Sequence, residues 1–184
     1  IVIPLYNEVD NIELLGHSIL RAMQGNNYEV ILVNDGSTDG STEKLKGWCA
    51  EHENFRTIHF KRNAGQTAAM DAGFKSAVGI YIVSMDADMQ NDPADIPKLL
   101  GKLNKYDMVC GWRQRRNDPW IKRISSTVAN FIRNKLSWED IKDTGCSLKA
   151  YRKECLDQIK LFNGMHRFLP TLFKMEGFAV TEIV

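Results

Sequence analysis

The stretch IYIVSMDADMQNDP, residues 80–93, decides how this chain folds. Its first six residues are almost entirely apolar, which is typical of a strand buried on both faces of a sheet. Asp92 followed by Pro93 is a common helix start, because the Asp side chain caps free N–H groups and proline fits the first turn. The stretch therefore predicts a buried strand, an acidic loop and a helix, in that order.

The same alternation of strand and helix continues along most of the 184 residues. Near the start, Asp10 with Glu13 three residues later predicts a capped helix. The alternation predicts an α/β domain with a mostly parallel, Rossmann-like sheet and helices on both faces. No linker or repeat is visible, so we expect a single domain over residues 1–184. Strands are predicted at residues 1–4, 28–34, 57–60, 80–85, 108–112, 147–151 and 178–184, and helices from Asp10, up to residue 52, at 66–76, from Asp92, and at 120–136, 154–159 and 168–175.

Composition excludes several classes of protein. The chain has 24 Lys and Arg against 23 Asp and Glu, so no broad basic surface is expected and nucleic acid is not an expected partner. The four cysteines are far apart and form no Cys-x-x-Cys pair, which argues against a zinc site or a disulfide framework. No apolar run is long enough to span a bilayer.

Polar motifs follow each of the first four predicted strands. They are PLYNE at residues 4–8, NDGSTD at 34–39, KRNAG at 61–65 and DADMQN at 86–91. Each motif alone is also ordinary turn chemistry. Because ligands bind beyond the carboxyl ends of strands in an open α/β sheet, four such motifs at one edge favour a binding site.

Asp86 and Asp88 are the sharpest feature of that edge. Two carboxylates two residues apart after a buried strand can both reach one hard cation, Mg²⁺ or Mn²⁺, and Gln90 could add a neutral oxygen. Asp-x-Asp also arises by chance, so this pattern alone leaves a plain surface loop open. The chain has neither a Gly-rich loop ending in Lys-Ser/Thr nor a G-x-G-x-x-G after the first strand, which argues against kinase-like and dinucleotide-binding proteins.

These motifs resemble glycosyltransferase family 2 enzymes of GT-A fold, in the branch that acts on polyisoprenyl phosphates. GWR at 111–113, WIKR at 120–123 and DTGCSLKAYR at 143–152 extend the resemblance over nearly the whole chain. It implies an inverting, metal-dependent transfer of a sugar from a UDP- or GDP-sugar donor to a polyisoprenyl phosphate. Undecaprenyl phosphate is the expected lipid, and the cytoplasmic face of a bacterial inner membrane the expected location. We also expect a fragment whose continuation into membrane-spanning helices is absent; a homo-oligomer stays open.

The resemblance also assigns roles to individual residues. One departure is Asn34, where many relatives carry a second Asp. Nucleotide-sugar binding is assigned to Pro4, Tyr6, Glu8, Asp35, Asn63, Asp86, Ala87 and Arg167, metal binding to Asp86, Asp88 and Gln90, and catalysis to Asp88, Asp143 and Arg113.

The basic residues beyond Trp112 are assigned to the acceptor phosphate. Arg113, Lys122, Arg123 and Ser126 can surround a phosphate monoester with donors, and Arg matches phosphate oxygens bidentately. From the charge pattern alone a solvated helix face remains the commoner explanation, and the resemblance favours the phosphate site. A phosphate monoester is largely a dianion at neutral pH, so it can attack without a base. We expect Asp143 to orient these cations, although a simple turn stays open.

Three alternative functions would require other sequence motifs or no catalysis. A family 2 transferase acting on a hydroxyl would want a further Asp as base and a Gln-x-x-Arg-Trp motif, which the chain lacks. A nucleotidyltransferase would carry a Gly-rich loop with Arg and Lys near its start, and PLYNE does not fit that pattern. A non-catalytic nucleotide-sugar-binding module stays open.

Overall fold

The computed structural model describes residues 1–113, 141 and 143–184. These residues form β1 (Val2–Leu5), β2 (Val30–Asn34), β3 (Phe55–His59), β4 (Tyr81–Ser84), β5 (Met108–Gly111), β6 (Lys149–Arg152) and β7 (Val180–Ile183). The seven strands make one sheet in the order β3-β2-β1-β4-β6-β5-β7.

Most of the described strands run in one direction. β1 is parallel to β2 and β4, β2 to β3, and β5 to β7. β6 is antiparallel to both β4 and β5, so it alone among the described strands is reversed. The predicted mostly parallel α/β sheet is confirmed.

Helices cover both faces of the sheet, as predicted. Strand side chains alternate between two core clusters, with Ile3 and Leu32 in one and Val2 and Ile31 in the other. The helices are α1 (Ile12–Ala22), α2 (Ser41–Glu51), α3 (Gln66–Ser76), α4 (Ile96–Leu100), α5 (Lys153–Leu156) and α6 (Leu169–Met175), with 3-10 turns at Pro93–Asp95 and Met165–Phe168. α1, α2 and α4 contribute to the first cluster, and α3, α5 and α6 to the second.

Of the two helix N-caps predicted from the sequence, the structure contradicts one and confirms the other. The capping box at Asp10 is wrong: α1 begins at Ile12 with Asn11 as N-cap, and the Asn11 side chain donates to Glu8 Oε2 (2.6 Å) instead of capping the helix. The cap at Asp92 is confirmed, since its Oδ1 accepts from the Ala94 N–H (2.9 Å). The predicted helix at 120–136 lies outside the described residues.

Two further features bear on sequence expectations. All four cysteines lie in the described part of the chain and are free. Among the described helices, none combines the length and the hydropathy needed to cross a membrane.

Candidate active site

The carboxyl-end loops of the sheet surround a cavity of about 390 Å³. Its walls come from the loops after β1, β2, β3 and β4, so the structure brings the four sequence motifs together. The lining residues are Pro4, Leu5, Tyr6, Glu8, Asp35, Asn63, Gly65, Gln66, Asp86, Ala87 and Asp88. Of the residues assigned to the donor, only Arg167 is not among them; it is exposed on the Met165–Phe168 turn.

The loops after β1 and β2 are fastened to each other by reciprocal hydrogen bonds. The Asn7 N–H donates to Ser37 Oγ (2.9 Å), and the Thr38 N–H donates to Asn7 Oδ1 (2.8 Å). Asn7 has φ 56°, a left-handed conformation uncommon outside glycine. The arrangement holds Tyr6 at the cavity with its side chain partly exposed, so an aromatic surface is available to a ligand.

Asp35 joins the loop after β2 to the loop after β3. Its carboxylate is buried and accepts from two backbone N–H groups, Ala64 to Oδ1 (2.7 Å) and Gly65 to Oδ2 (2.9 Å). Gly65 has φ +92°, where an L side chain is strained. Asp35 therefore positions the loop that contributes Asn63 and Gly65 to the cavity, which the sequence did not indicate.

Asp86 and Asp88 present carboxylates to the same cavity. Asp86 Oδ1 accepts from Gln66 Nε2 (2.6 Å), and the Asp86 N–H donates to Ser147 Oγ (3.1 Å). Burial raises the pKa of the Asp86 carboxyl; the Asp88 charge adds to this, and a Ser147 hydrogen bond and the charges of Lys149 and Arg113 oppose it. Carboxylate oxygens suit a hard divalent cation, so the donor set fits the predicted metal. Within residues 1–113, 141 and 143–184, no three His, Cys, Asp or Glu side chains are grouped as metal ligands.

Arg113 and Asp143 form a largely buried ion pair beside this loop. Asp143 Oδ2 accepts from Arg113 Nε (3.1 Å) and Oδ1 from Arg113 Nη2 (3.5 Å). Arg113 Nη1 donates to Gln90 Oε1 (3.2 Å), so Gln90 faces the arginine here, and Asp88 Oδ1 accepts from the Gln90 N–H (3.1 Å). The Asp143 N–H donates to Glu182 Oε1 (2.7 Å). A chain of contacts therefore connects β7 with the acidic loop.

Some residues predicted for the site lie outside the described part of the chain, and some residues that contact the site had no predicted role. Lys122, Arg123 and Ser126 lie outside the described residues. Gln66 and Ser147 contact Asp86; Ser147 stands inside the motif at 143–152 and Gln66 directly follows the motif at 61–65, so this proximity to the motifs was the available signal. Glu182 lies in a short strand, and no periodicity in the sequence marks it.

His166 joins the Met165–Phe168 turn to α3. Thr67 Oγ1 accepts from the Gly164 N–H (3.0 Å) and lies 2.7 Å from His166 Nδ1, so its hydroxyl proton is free to point at that nitrogen. Burial, with the charges of Arg167 and Lys149, lowers the pKa of His166 to about 4. His166 is therefore neutral at pH 7, and its Nδ1 shares one hydrogen bond with the Thr67 hydroxyl.

Comparison with known proteins places this architecture among sugar transferases. Residues 1–160 match the family model described as glycosyl transferase family 2. The chain is 39% identical over 176 residues to dodecaprenyl-phosphate galacturonate synthase of Rhizobium johnstonii, covering 92% of this chain and 52% of that protein. It is 37% identical over 176 residues to undecaprenyl-phosphate 4-deoxy-4-formamido-L-arabinose transferase of Aeromonas hydrophila, covering 94% and 54%. The chain thus spans about half the length of these curated relatives.

Solved structures of more distant proteins share the fold. A mannosyltransferase from Pyrobaculum calidifontis, solved with GDP-Man and Mn²⁺, superposes with a TM-score of 0.73 at 19% identity, covering 99% of this chain and 53% of that one. Glucosyl-3-phosphoglycerate synthase from Mycobacterium tuberculosis, solved with Mn²⁺, UDP-glucose and phosphoglyceric acid, gives 0.78 at 19% identity, covering 98% and 67%.

Proposed function

Since this chain belongs to glycosyl transferase family 2 and has the GT-A fold, we propose that it catalyses transfer of a sugar from a nucleotide sugar to a polyisoprenyl phosphate. The proposal depends on two neighbouring subsites, one acidic and one with a basic side chain. An acidic cavity presents Asp86 and Asp88, and Arg113 is held by Asp143 beside the same loop. The two relatives named for dodecaprenyl and undecaprenyl phosphate support the lipid class.

The cavity is assigned to the donor. Tyr6, Glu8 and Asp35 lie where they can surround the nucleoside, and Asp86 and Asp88 would hold a divalent cation, Mg²⁺ or Mn²⁺, together with diphosphate oxygens. When bound, that cation offsets the negative charge of the diphosphate. The enzyme is metal-dependent on this proposal.

Arg113 is assigned to the acceptor phosphate. A phosphate oxygen attacks the anomeric carbon, the bond from that carbon to the donor diphosphate oxygen breaks, and the nucleoside diphosphate leaves with the electron pair. A single displacement inverts the anomeric carbon. The phosphate is already a dianion, so no side chain need remove a proton. Both Asp143 oxygens accept from Arg113, which supports a positioning role for Asp143.

A basic and apolar segment next to the cavity supports contact with a membrane surface. Residues 158–175 contain no carboxylate side chain and include Lys160, Arg167 and Lys174. Phe162, Phe168 and Met175 in this segment are exposed at 65%, 44% and 77%. Basic charges beside exposed apolar groups suit an anionic bilayer surface, where the lipid acceptor resides. We therefore assign the cytoplasmic membrane face as the place of action.

The test offers radiolabelled UDP- and GDP-sugars with undecaprenyl phosphate and Mg²⁺ or Mn²⁺ to protein carrying this chain. Label should enter the organic phase, and Asp86→Asn and Asp88→Asn should each abolish this. Asp10→Asn, an exposed change outside the cavity, is the matched control. Label in a polysaccharide instead would identify a hydroxyl-directed transferase. Nucleotide binding without any transfer would identify a binding module.

A further inference from the structure

Lys149 is a buried lysine that the proposed chemistry leaves without a role; burial lowers its pKa, and the nearby Asp86 charge opposes that lowering. It lies in β6, paired with Ser84 of β4 and Cys110 of β5, and only 3% of it is exposed. Its ammonium donates to the Cys146 carbonyl oxygen. It makes no ion pair with any carboxylate in the described part of the chain. Lysine is rarely buried in this way without an anionic partner, because desolvation penalises the charge.

The position of Lys149 relates it to the candidate active site. It shares a face of the sheet with Tyr151, whereas Leu148 and Ala150 point into the opposite core cluster. Its charge opposes the rise in the pKa of Asp86 and helps to lower the pKa of His166. Lys149 does not line the cavity, but its strand partner Ser84 lies two residues before Asp86, and Ser147, two residues before Lys149, accepts from the Asp86 N–H (3.1 Å).

Within residues 1–113, 141 and 143–184, the charges around the cavity leave room for such a cation. Asp86 and Asp88 together balance one divalent cation, and Asp143 balances Arg113. The diphosphate of a bound nucleotide sugar then adds two negative charges, and its charge grows as the sugar departs. The exposed Arg62 and Arg167 are screened by water, whereas a fixed charge in a desolvated site acts more strongly.

We propose that Lys149 is a built-in counter-charge for the donor diphosphate, acting through the protein without touching the ligand. The inference rests on the proposed function, because it takes a nucleotide diphosphate to be the ligand of the cavity. Lys149 is thus a positioning residue: its partner anion arrives with the donor.

The test measures how nucleotide affinity depends on ligand charge. Calorimetry with Mg²⁺ compares uridine, UMP and UDP, and the guanosine series, in Lys149→Met and Lys149→Gln. Met removes the charge, and Gln removes it while keeping an N–H donor. We expect about a tenfold loss for the diphosphate, less for the monophosphate and under twofold for the nucleoside. Lys153→Met, in α5 and paired with Asp157, is the matched control and should behave as wild type.

The results of these titrations distinguish a failure of the Lys149 proposal from a failure of the proposed function. For each ligand, the same affinity in wild type and in both variants would overturn the role of Lys149. So would an equal loss for all three ligands, or failure of both variants to fold, because either result assigns the ammonium to the structure. If wild type binds neither UDP nor GDP while remaining folded, the proposed function falls and the inference falls with it.

Discussion

Asp35→Asn tests whether one carboxylate both positions the β3 loop and shapes the donor cavity. Asn keeps one acceptor oxygen but turns an NH₂ group toward the second backbone N–H. One charge-assisted bond is lost and a buried donor is left unmatched, a cost of about 3 kcal/mol. For a chain of this length, that lowers Tm by about 6–12 °C. Because Asn63 and Gly65 line the cavity, nucleotide affinity should fall in the same variant.

The assay combines thermal unfolding with calorimetric titration of UDP and GDP. Asp10→Asn, an exposed carboxylate outside the cavity, should leave both readouts unchanged. An Asp35→Asn protein that unfolds with wild type and binds nucleotide normally would refute the reasoning, since the two hydrogen bonds would then contribute nothing. Lower Tm with unchanged affinity would confine Asp35 to a structural role.

Three further predictions concern the same end of the sheet. Gly36→Ala should lower the urea midpoint, because the new Cβ would lie 2.5 Å from the Arg62 carbonyl carbon at φ +71°. His166 has its pKa lowered from 6.5 to about 4 by burial with Arg167 and Lys149 nearby. The unfolded chain therefore binds more protons in that window, and stability should fall as pH drops from 6.5 to 4. The free energy of unfolding, measured from pH 4 to 6.5, should therefore change less with pH in His166→Gln than in wild type. Arg113→Lys should raise the lipid concentration for half-maximal rate about tenfold with donor affinity unchanged, since an ammonium cannot reproduce the planar fork. Initial rates against lipid at saturating donor measure the first effect and nucleotide titration the second; lost nucleotide affinity with a normal lipid dependence would assign Arg113 to the donor site.

Local sequence patterns were enough to predict the α/β class and the position of the polar motifs. Apolar runs of strand length and helical periodicity depend on neighbours in sequence, so the alternation and its α/β class could be predicted. Gln66–Ser76 was predicted with the bounds that the structure gives. The motif resemblance is confirmed by the family match over residues 1–160. The meeting of the strand-end loops also followed from sequence, because parallel strands place their carboxyl ends at one edge.

The tertiary structure alone decided which polar groups form hydrogen bonds with one another. Asp35 with Ala64, Gln66 with Asp86, and Arg113 with Asp143 are separated by 29, 20 and 30 residues. No local periodicity encodes such contacts, since they arise only when loops from different strands meet. The same holds for β6, whose reversed insertion between β4 and β5 carries Lys149 into the interior. At Asp10 the local sequence pattern predicted the wrong N-cap. Asn11 is the N-cap, its side chain donates to Glu8, and the helix begins at Ile12. Sequence thus determined where the polar groups gather, and packing determined which of them hold one another.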